Sequence, residues 1–155
     1  MSEPEFFSPE WAAAVRDALA AGPTEQDRAG KLPMYWDFFD KVKAGYASSW
    51  ALGCRGLPAV TGASPAYLHV EWGGGTVTGC HIAGPGEQQQ ATYVLGMDYA
   101  DWRALHGGYD AQRTVMYRKI ALEDGDLLEF FKTIYFFVES LAVIGSVPGA
   151  YPETF

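Results

Sequence analysis

The chain has 155 residues, 48% of them apolar and 15% aromatic, enough for one domain with a substantial core. A net charge of -8 argues against nonspecific attraction to nucleic acid or to anionic bilayers, both of which reward clustered Lys and Arg. Two cysteines, Cys54 and Cys80, make no disulfide framework, and the opening MSEPEFF does not read as a secretory leader, so a reducing cytoplasm is the expected setting. Both thiols fall in expected strands, where a buried, inert cysteine is the simplest reading.

The first helix is announced by Ser8-Pro9-Glu10, a cap, a proline at the first helical position and an acid in the first turn. Trp11, Val15, Ala18 and Leu19 form its apolar face, and Gly22-Pro23 stops it. Thr24 to Asp27 reads as a capping box for a short turn. Pro33 then opens a segment in which Tyr35, Phe38, Phe39 and Val42 recur at helical spacing until Gly45. These pieces are expected to cover one side of a sheet.

Residues 46 to 97 lack helical periodicity and carry four strand-like runs, Ser48 to Cys54, Ala66 to Trp72, Thr76 to Ile82 and Ala91 to Met97. Gly73 to Gly75 reads as a hairpin turn, and Leu68, Val70 and Trp72 share one face of their strand while Tyr67, His69 and Glu71 share the other. Neither this glycine cluster nor Gly84-Pro85-Gly86 follows a strand and opens a helix with a Lys-Ser or Lys-Thr step, which excludes a phosphate-binding loop.

The segment Met97 to Asp126, MDYADWRALHGGYDAQRTVMYRKIALEDGD, is the densest in information. Asp98 or Asp101 can cap a helix that buries Trp102 and Leu105 and ends at Gly107-Gly108, where positive φ is needed. Asp110 can cap a second turn ending in Val115 and Met116, and Lys119 to Glu123 alternates with a strand's period of two.

That order of parts, an aspartate-rich helix start, a double glycine, a turn ending in methionine, a lysine-led strand and Gly125-Asp126, resembles the distal half of the sterol carrier protein 2 (SCP-2) domain over roughly residues 91 to 147. A small residue and a glycine usually follow the methionine in that family, whereas Tyr117-Arg118 stands here. The departure bears on the local backbone path and on ligand access. The resemblance implies a single α+β domain over residues 1 to 155, with a mixed, mainly antiparallel sheet of about five strands and helices over one face. Its parts would be a helical stretch 1–45, strands in 46–97, and helices plus the last strand in 98–155.

Leu127 to Val147 reads as one helix, with Asp126 as N-cap and Gly145 and Pro148 at its end. Leu127, Phe130, Phe131, Ile134, Phe137, Val138, Leu141 and Ile144 recur at three- and four-residue steps, and Glu129, Lys132 and Glu139 share one narrow polar sector. So wide an apolar surface fits a central core helix, a helix that also lines a cavity, or a homodimer face. The charged residues interrupt it, so no span crosses a membrane.

In SCP-2 domains the space between sheet and helices holds lipids, so the resemblance implies noncovalent binding, presentation or intracellular transfer of a lipid, sterol, acyl thioester or similar apolar metabolite. No cofactor and no metal are implied. The candidate wall residues are Trp50, Trp72, Trp102, Met116, Phe130, Phe131, Ile134, Phe137 and Leu141. An enzyme rearranging or cyclising an apolar metabolite in the same cavity is the alternative, with His69, Glu71 and His81 on paired strands as its acid/base or metal-ligating candidates. Their spacing matches no recognised metal signature, and no Gly-x-Ser-x-Gly elbow supports serine hydrolysis. A dimerisation or scaffold module is the third class.

Overall fold

A computed structural model describes residues 6–22, 25, 29, 31–55, 66–83, 86–147 and 149. Thr24 and Asp27 of the expected capping box lie outside the described residues, as do Pro23, Gly84, Pro85 and Pro148. Helix α1 spans Pro9–Ala21 and α2 spans Pro33–Ala44. The strands are β1 (Ser48–Arg55), β2 (Ala66–Gly73), β3 (Thr76–Ile82), β4 (Tyr93–Asp98) and β5 (Ile120–Asp124). Helices α3 (Tyr99–His106) and α4 (Ala111–Met116) lie between β4 and β5, and α5 (Leu127–Lys132) and α6 (Ile134–Gly145) follow.

The five strands form one sheet in the order β3-β2-β1-β4-β5. The central β1–β4 pair is parallel and the other three pairs are antiparallel. The fold is therefore α+β with a mixed, mainly antiparallel sheet, and among the described residues it has six α-helices. Ser8 caps α1 by accepting from Trp11 N at 3.2 Å, as its sequence announces. Gly74 and Gly75 turn the β2–β3 hairpin with φ of 58° and 84°, values that residues with a Cβ rarely adopt.

One sheet face carries Trp50, Leu52, Leu68, Val70, Leu95 and Met97, all at most 2% exposed, and the helices cover it. Phe136 and Phe137 of α6 pack on Trp50 with ring centroids 6.1 and 5.0 Å away, which ties the last helix to the middle of the sheet. In α2 the buried residues are Trp36 and Phe39, while Phe38 is 50% exposed, so the inward face is rotated from the one expected.

The expected continuous helix over Leu127 to Val147 is two helices. Thr133 breaks it with φ -120° and ψ 26°, and its hydroxyl donates back to the Phe130 carbonyl at 3.4 Å. A β-branched hydroxyl residue that satisfies a helix-end carbonyl favours such a stop. The break changes the phase of the apolar face: Phe130 is buried, whereas Leu127, Leu128 and Phe131 are 50%, 74% and 50% exposed. Glu139, expected beside Glu129 and Lys132 on a polar stripe, is buried instead, and accepts from Lys31 Nζ at 2.6 Å and Tyr35 Oη at 2.7 Å.

Candidate functional site

Between α5 and the sheet lies a part-open pocket of about 220 Å³. Leu95 of β4 and Ile120, Ala121 and Leu122 of β5 form its floor. Leu127, Phe130 and Phe131 of α5, with Phe137 of α6, form the opposite wall, and Val115 and Arg118 close the end at α4. Phe130 and Phe137 are buried with ring centroids 5.0 Å apart, whereas Leu127 and Phe131 stand half-exposed at the rim. The wall spans the break at Thr133, with Phe130 and Phe131 before it and Phe137 after it.

Arg118 is the charged residue in this wall, and its backbone is unusual. Its φ is 57°, in the left-handed region. Lys119 N donates to Thr114 O at 3.0 Å and Arg118 N to Val115 O at 3.1 Å, the paired bonds of a Schellman C-cap with Arg118 at the position that glycine usually fills. The left-handed conformation costs a non-glycine residue about 1 kcal/mol. The turn thus takes a glycine-type path with an arginine in it, and the guanidinium borders the pocket.

The interior around Trp50 and Trp72 is filled. Tyr46, Trp50, Trp72 and Phe136 form one aromatic cluster, with Phe136 centroids 4.6 Å from Tyr46 and 4.9 Å from Trp72. A gap beside Trp72, Phe39 and Phe136 measures about 10 Å³, too small to hold more than a water. Of the candidate wall residues, Phe130, Phe131 and Phe137 line the pocket. Trp50 and Leu141 are fully buried core, Trp72 is 4% exposed, and Ile134 packs against the core from its edge. Trp102 is fully buried at the far side, where its indole N–H donates to Gly53 O at 3.0 Å and its ring meets Phe6 and Phe7. Met116 is 64% exposed and stands two residues before Arg118, outside the wall.

Sequence reasoning missed Leu95, Val115, Arg118, Ile120, Ala121, Leu122 and Leu127 as wall residues. Leu95 and Leu122 were readable only as strand hydrophobes. Arg118 did carry a signal, its departure from the family pattern.

The opposite sheet face is polar. His69 and His81, paired across β2 and β3, have ring centroids 5.0 Å apart, and His69 Nε2 lies 3.8 Å from a Glu71 carboxylate oxygen. His81 Nε2 meets Glu87 at 2.6 Å. The three acid/base candidates are thus together, but on the face away from the pocket. His69 is buried, at 7% exposure, departing from the wetter surface expected there. Among the described residues no group of three His, Cys, Asp or Glu could hold a metal ion.

Further along that face Arg55 pairs with Asp98 at 2.9 Å and Glu123 at 3.1 Å, and Tyr67 donates to Glu123 at 3.1 Å. Asp98 therefore stands at the N-cap of α3 without capping it; its carboxylate serves Arg55. Asp101, the other capping candidate, pairs with Lys119 at 3.5 Å. Burial pushes the thiols of Cys54 and Cys80 up to about 12, so both stay protonated and unreactive near neutral pH.

No family profile and no curated protein matches the sequence. Solved structures do match in shape. A crystal structure of sterol carrier protein 2 superposes with a TM-score of 0.69 at 20% identity, covering 93% of this chain and all of that one. The solution structure of a conserved hypothetical protein from Thermus thermophilus, itself suggested to be a sterol carrier protein, gives 0.68 at 19% identity over 97% of this chain and 94% of that one. Among the described residues no helix is long and apolar enough to cross a membrane. In fold, the chain is a sterol carrier protein 2-like domain.

Proposed function

We propose that this chain binds an apolar chain-bearing metabolite in the pocket beneath α5 and carries or presents it within the cell. The observation that carries this reading is the pocket itself: about 220 Å³ walled by Leu95, Leu122, Phe130 and Phe137. That volume exceeds the roughly 150 Å³ void that accepts benzene and falls short of the roughly 300–1,000 Å³ that encloses drug-sized ligands. It suits the end of an acyl chain without movement, and a rigid sterol skeleton only if α5 swings outward.

Each methylene taken from water contributes about 0.8 kcal/mol, so a chain burying about ten of them binds near micromolar strength with no strong polar contact. The half-exposed Leu127 and Phe131 extend the apolar surface beyond the pocket and supply that extra length. Titration of delipidated protein with a fluorescent fatty acid tests the reading. Saturable binding, displaced by an unlabelled chain, is expected; absence of saturable binding by every chain and sterol probe, in protein with a cooperative melt, overturns it. The enzyme reading gains no support from His69, Glu71 and His81, which belong to the other side of the sheet.

A further inference from the structure

We infer that Arg118 is a specificity-determining residue, selecting chain ligands that end in an anionic oxygen group over neutral ones of the same length. The inference rests on the pocket reading above and adds the chemistry of the ligand's head.

Three observations converge on it. The exposed Arg118 side chain lines the pocket, whose other walls are apolar, and it does so at the α4 end beside Val115 rather than at the floor. A ligand tail lying against Phe130 and Phe137 therefore leaves its head at this guanidinium. Next, the nearby lysines are paired: Lys119 with Asp101 at 3.5 Å, and Lys132 with Glu129 at 2.8 Å. Arg118 has no carboxylate partner among the described residues, in a chain with eight more acids than bases. Finally, the residue holds a left-handed backbone at the end of α4, where glycine would sit without strain. Local folding therefore gives no reason for an arginine there. A site outside the turn does: the planar fork of a guanidinium matches a carboxylate or phosphate with two parallel hydrogen bonds.

The test compares chain-matched probes by calorimetric titration: dodecanoate, dodecyl phosphate and dodecan-1-ol, against wild type, Arg118→Gly and Arg118→Lys. Wild type is expected to bind one or both anions at least tenfold more tightly than the alcohol. The two anionic arms decide between carboxylate and phosphate. Arg118→Gly, which relieves the backbone, should melt no lower than wild type and lose the preference, its anion affinities falling more than its affinity for dodecan-1-ol. Arg118→Lys should retain part of the preference, because charge remains while the fork is lost. Equal binding of acid, phosphate and alcohol by wild type, or a preference that survives in Arg118→Gly, overturns the role of Arg118 and leaves the pocket reading standing. Failure of all three probes to bind overturns both.

Discussion

Gly108 and Arg118 occupy the same position in the same kind of turn. Helix α3 ends with Gly108 at φ 103° and the bonds Gly108 N to Leu105 O and Tyr109 N to Ala104 O; α4 ends ten residues later with Arg118 at φ 57° and the matching pair to Val115 and Thr114. One cap uses the residue that tolerates left-handed backbone and the other does not. Arg118→Gly should therefore raise stability by about 0.5 kcal/mol, the relief of strain less the greater freedom glycine brings to the unfolded chain. Gly108→Ala should lower it by about 1 kcal/mol. Thermal melts check both, with shifts of about 1–4 °C in opposite directions for a chain of this size.

A second contrast sets a buried acid against an exposed one on the last two helices. Glu139 has 7% of its surface exposed and accepts from Lys31 and Tyr35. Its removal in Glu139→Ala strands a tyrosine hydroxyl and a half-covered ammonium, and should cost about 2 kcal/mol by denaturant titration. Burial, then the hydrogen bond to Glu139, raise the Tyr35 phenol well above its ordinary range, so it stays a donor throughout the neutral and mildly alkaline range. The Glu129–Lys132 pair is exposed on both sides, and Lys132→Ala should cost less than about 0.5 kcal/mol.

His106 supplies a pH dependence. It ends α3 with its ring 5.0 Å from Phe6 and 6.1 Å from Trp11, and burial lowers its pKa from the ordinary 6.5, although the Ile144 carbonyl pulls the other way. The apolar surroundings favour the neutral ring. As pH falls, the unfolded chain takes up this proton before the folded one does. The contribution of His106 is thus intact above 6.5 and is lost progressively below it, through the lowered folded value. Melting temperature should fall between about pH 7 and pH 5, and more steeply in wild type than in His106→Gln. Equal slopes would show that carboxylates alone carry the acid sensitivity.

Legibility in the sequence followed the range over which each choice is decided. The strands were readable because alternation and glycine punctuation act locally: the runs expected at Ser48, Ala66 and Thr76 open β1, β2 and β3. The caps at Ser8, Asp110 and Asp126 were readable for the same reason. The break at Thr133 was not, because the apolar spacing runs unbroken from Leu127 to Ile144 and a single back-bonded hydroxyl decides where the axis turns. The pocket wall spans that break and was only partly foreseen: Phe130, Phe131 and Phe137 line it, while Trp50, Trp72 and Trp102 sit in packed interior. Large aromatics at strand and helix positions look alike in sequence whether they enclose a space or fill it.

Phe136 and Phe131 make that difference measurable, since both are apolar residues of the same stretch and only one borders the pocket. Phe136 is 2% exposed, with ring contacts to Phe39, Tyr46, Trp50 and Trp72, so Phe136→Ala should cost about 3–5 kcal/mol and lower the melting temperature sharply. Phe131 is half exposed at the rim, and Phe131→Ala should cost less than about 1 kcal/mol. Its loss removes wall that an incoming chain would cover, and chain affinity should fall about three- to tenfold. Leu122→Trp supplies the complementary case: the larger side chain occupies the space beside Phe130, and binding should drop at least tenfold while the melt stays cooperative. Unchanged affinity in both Phe131→Ala and Leu122→Trp would move the ligand out of this pocket, whatever the folded protein binds.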